Sequence, residues 1–168
     1  MKASIASIVI ALSVAGLFAA ETGKKNPIID YGGFLQNAQK IQAYREKRRV
    51  SEERFVELSK HPGTVILDTR SAAKFAQIHV RGATHLNFSD ITETALAKSI
   101  PDKETPILIY CNNNFRGDPV NLESKMAPAA LNIPTFITLY TYGYRNVYEL
   151  EPLLDLEATV IPMERSAH

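Results

Sequence analysis

Short unbroken apolar runs alternate with longer amphipathic stretches along this chain, which predicts buried strands separated by helices. Residues 64–68 (Thr-Val-Ile-Leu-Asp) and 107–110 (Ile-Leu-Ile-Tyr) are apolar at consecutive positions, the mark of strands covered on both faces. Residues 83–88 and 146–150 are predicted as two further strands. Between them, Ser51 followed by Glu52 and Glu53 is a helix start, because a hydroxyl caps free N–H groups and carboxylates favour the positive end of the dipole. Phe55, Val56 and Leu58 then face the core, and His61-Pro62-Gly63 ends the helix. Residues 71–77 read as a short helix, and 89–100 as another, entered through Ser89 and Asp90 and stopped at Pro101. Upstream, Gly32-Gly33 reads as a turn before an amphipathic helix over 36–49, packed outside the sheet. Periodicity leaves 135–142 open: Ile133, Ile137, Tyr140 and Tyr144 fit a helical stripe, while Phe136, Thr138, Tyr140 and Tyr142 fit strand alternation. Buried strands joined through helices imply right-handed crossovers, hence an α/β fold with a parallel sheet of four or five strands and helices on both faces.

Composition adds bounds to this pattern. With 168 residues, 45% of them hydrophobic, and a net charge of +1, the chain suits one domain with a substantial core and no polyanionic partner. The basic run 45–49 reads as a solvated helix face, so nucleic acid is excluded as a partner. Residues 1–20 stand apart, with Lys2 followed by an almost wholly apolar stretch over 5–20, shorter and weaker than the roughly 20 strongly apolar residues of a bilayer span. They read as a signal peptide or, if uncleaved, an N-terminal anchor that makes the only membrane contact. The protein is therefore expected to be exported, periplasmic if bacterial. Residues 21–49 come next as a linker and helical extension, and 50–160 as the folded domain. A single cysteine, Cys111, forms no intramolecular bridge, so packing alone holds the fold.

The site is expected at Cys111. In open parallel sheets ligands bind beyond the carboxyl ends of the strands, and the run 107–110 delivers the chain directly to this thiol. After it come Asn112, Asn113, Asn114, Phe115, Arg116 and Gly117. Short polar residues tolerate positive φ, so this loop is expected to curl with its N–H groups inward as an anion nest. Arg116 is expected to add a positive charge nearby, and both effects favour thiolate over thiol. The histidines show no metal-ligand spacing.

Three segments carry a resemblance to the rhodanese superfamily over roughly residues 50–150. Ile66-Leu67-Asp68-Thr69-Arg70 is similar to its strand ending in Asp-x-Arg, His79-Val80-Arg81-Gly82-Ala83 to its His-x-x-Gly-Ala turn, and Tyr110-Cys111 with the loop closing on Arg116 to its active-site loop. The resemblance implies a rhodanese-like sheet and a sulfurtransferase. Cys111 would take sulfane sulfur from a thiosulfate-like donor as a persulfide and pass it to a thiophilic acceptor, a small molecule or a protein thiol, with no cofactor. Residues 112–117 would hold the transferred atom, while Asp68, Arg70, His79 and Gly82 look structural. The spacing Cys-x-x-x-x-Arg is one residue shorter than the loop with which phosphatases surround phosphate, which suits a single sulfur. An inert docking module and a thiol redox sensor are the rival classes.

The resemblance also makes 135–142 a helix. Family loops often carry glycine where this chain has Asn114, and usually enter a helix directly after the arginine. Here Gly117-Asp118-Pro119 intervenes, and Pro128 and Pro134 break the following stretch, so a weaker helix-dipole contribution is expected. Residues 118–134 read as an insertion, of which 121–132 is expected to form a pocket wall or a docking surface.

Overall fold

The computed structural model describes residues 26–165, so the expectations for 1–20 lie outside the described residues. The chain divides into two units, Met1–Asp30 and Tyr31–His168. In the first, the Asn26 side chain accepts a hydrogen bond from the Ile28 N–H at 3.0 Å. The second unit holds every described helix and strand.

Its elements run α1 (Tyr31–Glu46), β1 (Arg49–Val50), α2 (Glu52–Ser59), β2 (Val65–Asp68), α3 (Ala72–Gln77), β3 (His79–Val80), β4 (Thr84–His85), α4 (Glu93–Ser99) and β5 (Ile107–Tyr110). They continue with β6 (Phe115–Arg116), α5 (Asn132–Thr141), β7 (Val147–Leu150), β8 (Leu154–Asp155) and β9 (Met163–Glu164). Five strands form one sheet in the order β1-β7-β5-β2-β4, and every neighbouring pair is parallel. The α/β class read from the sequence is the class observed.

Consecutive apolar residues form a strand here because each side of the sheet has its own core. Along β5, Ile107 and Ile109 enter one cluster with Leu96, Ile100, Phe136 and Leu139. Leu108 and Tyr110 enter the opposite one with Phe55, Val80 and Phe115. Alternate side chains point to opposite faces, so a run without polar interruption is what two covered faces require. Each large aliphatic or aromatic side chain so buried stabilises the fold by roughly 1.5–3 kcal/mol relative to exposure.

Hydroxyl caps set the helix starts. Ser51 Oγ accepts from Arg54 N at 3.3 Å, Ser71 Oγ from Lys74 N at 3.3 Å and Thr92 Oγ1 from Ala95 N at 3.1 Å. The last corrects the expected entry at Ser89: residues 88–90 form a separate 3-10 turn, and α4 begins only after Thr92. The strand expected over 83–88 shrinks to Thr84–His85. Helix α1 starts earlier than expected and runs through Gly32-Gly33, while residues 49–50 form the edge strand β1 instead of its end. Helix α5 begins at Asn132, with Pro134 inside its first turn. A missing N–H is harmless there, so Pro134 does not break the helix.

Candidate active site

Strand β5 ends at Tyr110, and a hydrogen-bond network around that end fixes the position of the active-site loop. The Tyr110 hydroxyl donates to Asp68 Oδ2 at 2.5 Å and accepts from Val80 N at 3.0 Å. Asp68, fully buried, also holds Arg70 through Nε at 3.0 Å and Nη2 at 2.6 Å. Burial and the Asp68 carboxylate together push the Tyr110 hydroxyl far above the ordinary phenol range, so it stays a donor. Arg70 then reaches the loop itself, its Nη1 donating to Asn112 Oδ1 at 2.9 Å. His79 lies apart from this site, its Nδ1 2.7 Å from the Phe75 carbonyl and its ring stacked on Phe75. Gly82 takes the positive φ of a turn, 76°.

Cys111 is 2% exposed and forms part of the wall of a cavity of about 600 Å³. Thr69, Arg70, Lys74, Asn112, Asn113 and Phe88 surround the same space, closed on another side by Glu123, Ser124, Lys125 and Leu131. Four residues of the segment 121–132 thus contribute to the pocket wall, as expected of part of it. Arg70, Lys74 and Lys125 bring positive charge to it, and Glu123 negative charge.

The loop itself departs from the expected nest. Asn112–Asn114 is one 3-10 turn, and no described residue other than glycine has positive φ, so the asparagines do not curl the chain as expected. Their side chains act instead as latches. Asn112 Nδ2 donates to the Glu123 carbonyl at 2.9 Å, Asn113 Nδ2 donates to the Lys125 carbonyl at 2.7 Å, and Asn113 Oδ1 accepts from Lys125 N at 3.1 Å. Asn114, buried at 5% exposure, accepts on Oδ1 from Cys111 N at 2.9 Å and from Asn132 Nδ2 at 3.0 Å. Its Nδ2 donates to the Leu150 carbonyl at 2.8 Å and the Pro152 carbonyl at 3.2 Å. Where many family loops carry glycine, this carboxamide joins the turn to the end of β7 and the start of α5.

Phe115 and Arg116 leave the pocket. They form β6, paired with β8 through Phe115 to Leu154 and Arg116 to Asp155. Phe115 is packed into a core cluster beside Tyr110, edge to face at 6.0 Å. The Arg116 side chain is 66% exposed and pairs with Asp155 at 3.5 Å. Alternation along a two-residue strand sends one side chain in and its neighbour out. The expected Arg116 charge beside the thiol is therefore corrected: it is spent on Asp155, outside the cavity walls. Gly117 has φ of 104°, and a Cβ there would lie 3.5 Å from Asp155.

The thiol is also less acidic than expected. Burial pushes Cys111 above the ordinary thiol value, and the buried Glu149 carboxylate pushes the same way, against the backbone N–H groups of Asn132, Asn113 and Leu131. Two of those three N–H groups belong to the start of α5. The start of α5 thus returns toward the sulfur after the insertion instead of following the loop directly, and its N–H groups oppose the effect of burial. Desolvation still outweighs it, so the balance at Cys111 favours the thiol over the thiolate.

The sequence reading missed Lys74, Lys125 and the amides of Leu131 and Asn132. Lys125 stood inside the segment read as a wall, which was signal enough for it. Nothing local distinguishes Lys74 from any other lysine on a short helix.

A parallel α/β sheet with a pocketed cysteine just past the end of its central strand defines a class of thiol-centred proteins. The Rhodanese-like domain family model matches residues 51–151, more than half of the chain, and the chain belongs to that family. It is similar to the thiosulfate sulfurtransferase GlpE of Pseudomonas putida, 27% identical over 119 residues that cover 71% of this chain and 92% of that protein. Among solved structures it is similar to the Alr3790 protein of Anabaena sp., with 18% identity, a TM-score of 0.49 and coverage of 71% and 94% of the two chains. It is also similar to the polysulfide-sulfur transferase homodimer of Wolinella succinogenes, with 20% identity, a TM-score of 0.42 and coverage of 79% and 98%.

Proposed function

We propose that this protein is a sulfurtransferase in which Cys111 carries one sulfur atom as a persulfide. The observation that carries the reading is the position of the only thiol: just past the end of the central strand, on the wall of a cavity of about 600 Å³. Membership of the rhodanese-like family and the likeness to a thiosulfate sulfurtransferase support it.

In the first half-reaction the Cys111 sulfur attacks the outer sulfur of a thiosulfate-like donor. A new S–S bond forms, the donor's S–S bond breaks with its electron pair leaving on sulfite, and sulfite takes the thiol proton as hydrogen sulfite. The terminal sulfur keeps a negative charge, which the N–H groups of Leu131, Asn132 and Asn113 are placed to hold. In the second half-reaction a thiophilic acceptor takes the outer sulfur and Cys111 is restored. No cofactor enters either step. Residues 1–20 extend the proposal to delivery outside the cytosol, into the periplasm in a bacterium.

Mass spectrometry after incubation with thiosulfate tests the reading. The wild type is expected to gain one sulfur atom and Cys111→Ser none. A wild type that stays unmodified while Cys111 remains open to alkylation sinks the proposal.

A further inference from the structure

Helix α1 and strand β1 lie upstream of the segment that matches the family model, which begins at residue 51. They nevertheless reach the elements that surround Cys111. Ile41 of α1 is buried in the core cluster of Phe136 and Leu139 from α5 and Ile107 and Ile109 from β5. Tyr44 meets Tyr140 edge to face at 5.5 Å and donates its hydroxyl to the Arg145 carbonyl, while Asn37 Nδ2 donates to Thr141 Oγ1 at 3.1 Å. So anchored, α1 delivers Arg45 to Glu149 of β7, with Nε donating to Oε2 and Nη2 to Oε1, both at 2.6 Å. Two parallel hydrogen bonds between guanidinium and carboxylate are the strong form of such a pair. The Glu149 side chain is 5% exposed.

Sheet geometry puts this pair on the thiol's side. Glu149 stands opposite Ile109 in the parallel pairing of β5 with β7, and residues in register project to the same face. Cys111 follows Ile109 by two residues and keeps an extended backbone, with φ of -149° and ψ of -176°, so alternation sends its side chain to that face as well. Among the described residues Arg45 is the one cation paired with Glu149. Helix α5, which covers the same face, carries no charged residue. Arg49, opposite Glu149 on β1, pairs with Glu46 and Glu151, and Arg70 at the cavity is held by Asp68. Lys74, Glu123 and Lys125 line the cavity, and Glu46 approaches Arg45 Nη1 at 3.7 Å from the surface. Burial leaves the Glu149 charge poorly screened, and even beside Arg45 it works against ionisation of the thiol. A buried pair that loses one member leaves the charge of the other uncompensated.

We propose that Arg45 is a positioning residue for the sulfur chemistry: its two hydrogen bonds tie up the Glu149 charge on the sheet face that carries Cys111, which makes α1 a working part of the site. Without the guanidinium, the carboxylate opposes negative charge on the Cys111 sulfur and on the terminal sulfur of the persulfide. For the persulfide this rests on the sulfurtransferase reading; for the thiol it does not.

Alkylation of the full chain by iodoacetamide, an uncharged reagent, reads the thiol across pH without any sulfur transfer. Arg45→Met is expected to move the profile to higher pH and to slow the reaction at neutral pH by about threefold to tenfold. Glu149→Gln is expected to move the profile to lower pH. The double variant Arg45→Met/Glu149→Gln is expected to return the neutral-pH rate to within about twofold of wild type, a restoration that a purely structural part for Arg45 does not produce. Thermal melting shows whether each variant folds, and where Arg45→Met does not, Glu149→Gln and the double variant carry the test. An unchanged profile in folded Arg45→Met or in Glu149→Gln, or a double variant several-fold slower than wild type, overturns the proposal. Gain of one sulfur atom from thiosulfate is judged separately, so the role of Arg45 and the sulfur transfer fail or stand independently.

Discussion

The segment after Cys111 divides into two halves that the same bond geometry sends in opposite directions. Asn112, Asn113 and Asn114 stay at the pocket and spend their carboxamides on holding the 121–132 wall, the end of β7 and the start of α5. Phe115 and Arg116 turn away into β6, one filling a core and the other meeting Asp155 at the surface. Adjacency in sequence therefore assigns the wrong cation to the thiol. The positive charge at the cavity comes from β2's end, from α3 and from the insertion, through Arg70, Lys74 and Lys125.

The largest effect that separates the halves is expected at Phe115. Phe115→Ala removes a fully buried ring from the cluster of Tyr110, Leu150 and Leu122 and is expected to cost about 3–5 kcal/mol in urea denaturation. The folded fraction should still alkylate at Cys111 at the wild-type rate, because the ring lies outside the cavity. A stability change below about 1 kcal/mol, or a tenfold change in alkylation, would unite the two halves again.

Asn114→Ala should act on both properties. It strips partners from Cys111 N, Asn132 Nδ2 and the carbonyls of Leu150 and Pro152. With unpaired buried polar groups costing about 1–3 kcal/mol each and some relaxation, the expected loss is about 2–4 kcal/mol. The start of α5 loses its tie to the loop, so thiol reactivity should change as well. Destabilisation with an unaltered pH profile of alkylation would show that the N–H groups hold their place without this carboxamide.

A smaller effect concerns the thiol itself. The unfolded chain ionises Cys111 near the ordinary value of about 8.5, while the folded protein, for reasons of burial, ionises it only at higher pH. The unfolded state therefore gives up its proton first. Stability is expected to fall as pH rises through the unfolded value and to stop falling beyond the folded one. Cys111→Ser should remove that component of the pH dependence. A wild type that grows more stable over this range relative to the variant would mean a thiol acidified by folding.

What the sequence disclosed, it disclosed through long signals. Strands β2 and β5 were legible because two-sided burial leaves an unbroken apolar run, and α2 and α3 because Ser51 and Ser71 announce their first turns. The two-residue strands β1, β3, β6, β8 and β9 carry no periodicity, and their partners lie far away in the chain. Cys111 was legible as the end of β5. The contact of α5 with its sulfur was not, because chain distance through the insertion hides a spatial neighbour. Likewise the asparagine triplet read as anion-holding backbone throughout, whereas only Asn113 offers its backbone N–H to the sulfur and the side-chain amides of all three hold the neighbouring elements.

Arg116 is where those two ways of reading differ most and where the expected effect is least. A guanidinium two-thirds exposed, 3.5 Å from a half-exposed carboxylate, contributes less than about 1 kcal/mol, since solvent screens the pair and both side chains lose freedom to hold it. Nothing connects this pair to the sulfur: the groups that act on Cys111 are the amides of Asn132, Asn113 and Leu131 and the Glu149 carboxylate. Arg116→Ala is therefore expected to leave urea stability within about 1 kcal/mol of wild type and the pH dependence of Cys111 alkylation in place. If alkylation in that variant instead shifted to distinctly higher pH, Arg116 would have to approach the sulfur during function, β6 would have to part from β8, and the division between the two halves of the loop would describe only one state of the protein.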